Sequence, residues 1–122
     1  MATIKMCTDI PQSKKLAEIL PLKSADMEYL AIKKNGALVG TVPFVKDDSE
    51  VEDSAYSHIY DRIACWSLAA LLSVLPKLHK LQHSEEGYYC SLANYKYITE
   101  AYNNPVDACV EMILKLHELN LV

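Results

Sequence analysis

The chain has 122 residues, 51% apolar and 23% charged, with a net charge of -4; this is the composition of an ordinary globular protein with one hydrophobic core, and it excludes disordered, fibrous and membrane-embedded classes. The acidic balance argues against nonspecific nucleic-acid binding, which rests on clustered Lys and Arg neutralising phosphates. Met1–Ile10 carries Lys5 and Asp9 and no apolar h-region, and the most apolar stretch, Ala64–Leu75, falls well short of the ~20 residues of a membrane span. A single cytoplasmic globular domain over residues 1–122 is expected, with no membrane contact.

The first element is predicted to be a short amphipathic helix. Thr8 or Asp9 serves as its N-cap, Pro11 lies in its first turn, and Leu16, Ile19 and Leu20 form its apolar stripe before Pro21 stops it. Met27–Lys34 and Ala37–Phe44 then flank Asn35-Gly36, a dipeptide suited to the positive φ angles of a type I′ turn, so a β-hairpin is predicted. With that turn, Ile32 opposes Val39, Leu30 opposes Thr41 and Met27 opposes Phe44.

Val45–Arg62 holds Asp47, Asp48, Glu50, Glu52 and Asp53 among few large apolar residues and reads as a solvated loop. It lacks the alternating Asp/Asn and the turn glycine of an EF-hand, so no metal site is assigned to it. Ala64–Leu75 reads as the central packed helix, with Cys65, Leu68, Leu72 and Leu75 on one stripe, Trp66 in its first turn as a core residue, and Pro76 as its stop.

Leu78–His83 and Tyr88–Leu92 bracket the polar run Ser84-Glu85-Glu86-Gly87 and predict a second hairpin with a longer loop. Asn94–Tyr102 fits either an edge strand, from the alternation of Tyr95 and Tyr97, or a helical turn, from the spacing of Ile98 and Tyr102. The closing helix has the clearest signature: Asn104 as N-cap, Pro105 at the first position, Asp107 at the third, and a stripe of Val106, Cys109, Val110, Ile113 and Leu116. The fold class is therefore α+β, in the order α-ββ-α-ββ-α, with antiparallel hairpins packed against helices.

No assembled chemistry stands out along this frame. His79 and His83 are four apart but follow Pro76 on a predicted strand, where that spacing separates them by ~13 Å, too far to share a metal. The cysteines at 7, 65, 90 and 109 form no CxxC pair and read as buried free thiols. With three glycines in the whole chain there is no phosphate-cradling loop, and no cofactor is expected. Eight tyrosines against one phenylalanine is the compositional oddity. Tyrosine's large apolar face and polar tip suit sheet faces and protein contacts alike.

The strings Cys65-Trp66-Ser67-Leu68-Ala69-Ala70-Leu71-Leu72, Val74-Leu75-Pro76 and Asn104-Pro105-Val106-Asp107-Ala108-Cys109-Val110-Glu111-Met112-Ile113 resemble a family of small uncharacterised proteins of anaerobic gut bacteria and their phages or mobile elements. The resemblance spans most of the chain from Cys7-Thr8-Asp9 onward and is weakest in the two hairpins. The family pattern carries a proline where this chain has Ala64. The resemblance implies a context and no mechanism.

The expected function is a noncatalytic accessory or protein-interaction protein, with a contact surface drawn from Tyr88, Tyr95, Tyr97, Tyr102, Asp47 and Asp48 and with a protein partner or a second copy as its target. The rival expectation is a small enzyme whose site is assembled from Cys90, His79, His83 and the tyrosines. A third, an acidic mimic of nucleic acid, requires the carboxylates to align on one face.

Overall fold

The structure, a computed structural model, describes residues 5–34, 37–45, 60–77, 79–93 and 95–121. The predicted turn Asn35-Gly36, Asp47, Asp48 and the rest of the acidic run to Asp53 lie outside them. The fold is α+β, and the order α-ββ-α-ββ-α is present, with two further strands. The chain divides into two compact units, Asp9–Trp66 and Met1–Thr8 with Ser67–Val122.

In the first unit, α1 (Ile10–Ile19) is capped by Asp9, one of the two caps the sequence offers. The Asp9 carboxylate accepts from the Gln12 N–H at 2.8 Å, and the Gln12 amide oxygen accepts from the Asp9 N–H at 3.1 Å. This capping box satisfies two backbone donors that the helix start leaves without partners. Three antiparallel strands follow, β1 (Met27–Lys34), β2 (Ala37–Val45) and β3 (Tyr60–Cys65), in the order β2-β1-β3. Pro43 is accommodated because β2 is an edge strand, where a missing N–H breaks no inner ladder.

The first hairpin forms, with a different register from the one expected. Lys34 faces Ala37 and Lys33 faces Leu38, but a bulge leaves Val39 over, so Ile32 faces Gly40, Leu30 faces Val42 and Met27 faces Val45. One extra residue on one strand moves every later partner by one. Strand β3 corrects a second expectation: Tyr60–Arg62 is no part of a loop, and Ala64 and Cys65 belong to no helix. Both stretches pair with β1, from Ile32 opposite Tyr60 to Met27 opposite Cys65. The ladder supplied by β1 outweighs the helical spacing that Cys65 shares with Leu68 and Leu72. α1 packs on β3, and Leu16, Leu20, Met27, Cys65 and Trp66 are buried. The Trp66 indole N–H donates to Ser24 Oγ at 2.9 Å, which lets the only tryptophan be fully buried without an orphaned donor.

In the second unit, α2 (Leu68–Val74) starts later than its apolar run suggests, because Ser67 is its N-cap and accepts from the Ala70 N–H at 3.2 Å. Three more strands, β4 (His79–Ser84), β5 (Gly87–Leu92) and β6 (Tyr97–Ile98), form an antiparallel sheet in chain order. Helix α3 (Pro105–Glu118) packs against β5, β4 and α2. It has the predicted cap and stripe: Asn104 Oδ1 accepts from the Asp107 N–H at 2.8 Å, and Val106, Cys109, Val110, Ile113 and Leu116 are buried. Asp107 is tied further, to Lys5 Nζ at 2.6 Å and to Asn104 Nδ2 at 2.7 Å.

Candidate functional site

The β4–β5 hairpin closes more tightly than its polar run suggests. Ser84 pairs with Gly87, so Glu85 and Glu86 alone form the loop. Ser84 Oγ accepts from the Glu86 N–H at 3.2 Å. Gly87 stands at φ +132°, and a Cβ there would overlap the backbone carbonyl of Tyr102. Only glycine fits this conformation and this approach. The close approach is part of a two-way backbone bridge, Tyr88 N–H to Tyr102 O and Tyr102 N–H to Tyr88 O, both 2.7 Å.

The segment between β5 and α3, ambiguous in the sequence, is a turn, a two-residue strand and an extended return. Ala93 and Tyr95 both take positive φ, 54° and 69°, a left-handed conformation that costs a non-glycine residue roughly 1–2 kcal/mol. Thr99 then locks the return, because its Oγ1 accepts from the Cys90 N–H and its own N–H donates to Cys90 O, each at 2.9 Å.

Strand alternation sorts the side chains of this sheet onto two faces. His79, Leu81, His83, Tyr88, Cys90, Leu92 and Tyr97 share one, as the cross-strand partners show, and Cys90 on this face meets Cys109 of α3. Lys80, Gln82, Ser84, Tyr89, Ser91 and Ile98 share the other. The expected tyrosine surface is therefore divided. Tyr88 is half-buried and stacks on His83, ring centroids 4.2 Å apart. Tyr102 is half-buried beside it through the backbone bridge. Tyr97 is half-buried under the Lys96 amine, 5.6 Å from its ring centroid. Tyr95 projects into solvent at 51% exposure, with Lys80 Nζ 5.8 Å from its ring centroid.

The face away from α3 also holds an open depression of about 280 Å³ whose lining includes Ser84, Glu86, Tyr89, Ile98 and Glu100. Ile98 is 44% exposed, unusual for a strand isoleucine. Tyr89 and Ile98, rather than Tyr88 and Tyr97, accompany Tyr95 on the open side. The signal that marks them is parity: residues opposite Ser91 and Gln82 in the ladder share a face with Lys80.

The rival constellation does not converge. His79 turns its Nδ1–H to the Pro76 carbonyl at 3.0 Å, His83 is occupied with Tyr88, and Cys90 is fully buried opposite Leu81. The Cys109 thiol is pushed up from its ordinary pKa by its hydrogen bond to Cys90, then by burial. The same bond pulls Cys90 down while burial opposes it. Neither sulfur has an opening to solvent. Among the described residues no three His, Cys, Asp or Glu side chains cluster in a metal-binding arrangement, and no helix is long and apolar enough to cross a membrane. No protein-family model, curated protein or solved structure matches this chain.

Proposed function

We propose that this chain is a noncatalytic accessory protein that works by binding another protein chain through the open face of the β4–β5–β6 sheet. The observation that carries this reading is Tyr95, a bulky ring kept half in solvent on a backbone at φ 69° that favours glycine. A residue retained against its local conformational preference points to a use outside the fold. Ile98, also exposed, stands in the same cross-strand row as Lys80, whose amine lies over the Tyr95 ring, and exposed aromatic and aliphatic side chains among polar ones are the make-up of a contact patch. The setting proposed for it is a gut-bacterial phage or mobile element, a context drawn from the sequence resemblance alone.

Tyr95→Gly separates the two roles of the residue. The variant is expected to unfold at higher denaturant, by up to about 1 kcal/mol, because glycine accepts the left-handed backbone freely. It is expected to lose the partner that the wild-type chain recovers by crosslinking and pull-down. Recovery of nothing above controls by the wild-type chain, or undiminished recovery by Tyr95→Gly together with Ile98→Ser, overturns the reading.

A further inference from the structure

Two of the four buried thiols meet across the packing of α3 on β5. Cys90 stands on β5, on the sheet face that α3 covers, and Cys109 stands on the buried stripe of α3, one turn ahead of Ile113. Their side chains share a hydrogen bond, and both residues are 0% exposed. A cysteine side chain is short, so this contact also brings the strand and helix backbones close at this point. The strand side is pinned, because Cys90 N–H donates to Thr99 Oγ1 and Cys90 O accepts from Thr99 N–H, each at 2.9 Å. The helix side is fixed by the Asn104 cap, whose Oδ1 accepts from the Asp107 N–H at 2.8 Å. The two sulfurs are therefore held toward each other by the fold on both sides.

We infer that Cys90 and Cys109 are a latent disulfide: they stay thiols in a reducing setting and join β5 to α3 covalently when the chain folds, or opens, in the presence of a small disulfide such as oxidised glutathione. The inference is independent of the contact surface proposed above. Closure follows thiol–disulfide exchange. The Cys90 thiolate attacks one sulfur of the reagent, forms a mixed disulfide and expels one reagent thiolate. The Cys109 thiolate then attacks the Cys90 sulfur and expels the second. Two cysteine thiols and one reagent disulfide thus become one Cys90–Cys109 bond and two reagent thiols. The two electrons pass from the cysteines to the reagent, and the two protons go to the thiolates it releases. An S–S bond of ~2 Å is shorter than a thiol contact, so closure draws α3 slightly toward β5. Because both sulfurs are sealed from solvent in the folded chain, the reagent enters before α3 packs or when it lifts from the sheet. The closed loop runs from residue 90 to residue 109, and a cross-link over a loop of that length favours the folded state by on the order of a hundredfold.

The test is refolding of the whole chain from guanidinium in mixtures of oxidised and reduced glutathione, beside a control refolded in dithiothreitol. Incubation of the native chain with the same mixtures, in urea just below its unfolding transition, is a second route that needs no refolding. The product of either is expected to be lighter by two hydrogens and to show two of the four thiols when denatured. Peptide mapping is expected to find Cys90 joined to Cys109, in a chain that keeps the circular dichroism of the control. Its urea midpoint is expected to lie above that of the control and to return to it on reduction. Without urea, the native chain is expected to oxidise far more slowly than with it, since opening precedes exchange. A chain that keeps four thiols in every mixture by both routes overturns the inference, as does a glutathione adduct at Cys90 or Cys109 that never resolves. A map that joins other cysteines overturns it too, and so does a Cys90–Cys109 product that has lost the native spectrum or unfolds at lower urea than the control.

Discussion

Gly87 shows how a single missing Cβ decides the geometry around it. Its positive φ closes the Glu85-Glu86 loop, and its bare Cα lets the Tyr102 carbonyl approach close enough to bridge Tyr88. Gly87→Ala is expected to lose roughly 2–3 kcal/mol, combining backbone strain with displacement of that carbonyl, measured as a lower urea midpoint at unchanged m. Gly87 is visible in the sequence only as the end of a polar run; its contact with Tyr102 is a tertiary fact that local spacing does not carry. Tyr95 is the opposite case. Nothing in the alternation of Tyr95 and Tyr97 signals that one ring points out while the other lies half-buried, because the turn at Ala93 and Tyr95 resets the parity between β5 and β6.

At the scale of elements, the legible helix starts are those whose capping residue stands ahead of the apolar run rather than inside it. Asp9 with Gln12, and Asn104 with Pro105 and Asp107, mark their helix starts by local chemistry alone, and both stand where the sequence puts them. The start of α2 is hidden because the apolar run from Ile63 continues through a strand into a helix, and hydrophobicity does not mark the change; Ser67 does. Strand β3 is illegible for a related reason, since its pairing is with β1, far back in the chain. The candidate site is legible as a tyrosine-rich region and illegible as a face. The segment joining β6 to α3 also carries a pH response. Burial, and after it the charges of Glu111, Glu100 and Asp107, raise the pKa of the Tyr102 phenol. The folded chain thus holds this proton more tightly than the unfolded one, so its contribution is complete below the ordinary tyrosine value of about 10 and is lost as pH rises through the folded value. Unfolding titrations above about pH 10 are expected to show stability falling with pH, and Tyr102→Phe to flatten that fall; an unchanged slope in the variant refutes the assignment.

Across the whole molecule, the four cysteines are shared between both units and every one is buried: Cys65 in the first, Cys7, Cys90 and Cys109 in the second. Burial in apolar surroundings makes a thiol inert. The native protein is expected to be almost silent to an aromatic disulfide reagent and to release four equivalents once unfolded in guanidinium. Rapid labelling of Cys90 in the native state would revive an enzyme reading, because it would mean that the sulfur reaches solvent.

The burial of Trp66 gives the two units separate optical labels. The chain's one indole belongs to Asp9–Trp66, held dry and hydrogen-bonded to Ser24, whereas five of the eight tyrosines, Tyr88, Tyr89, Tyr95, Tyr97 and Tyr102, belong to the other unit. Emission from the indole, blue-shifted while it is buried and bonded to Ser24, reddens when it meets water; the tyrosine band of the ultraviolet difference spectrum, with five of the eight rings there, is weighted toward the second unit. Recording both signals in one melt therefore reveals whether the units come apart together or in turn, with no dye or engineered probe added.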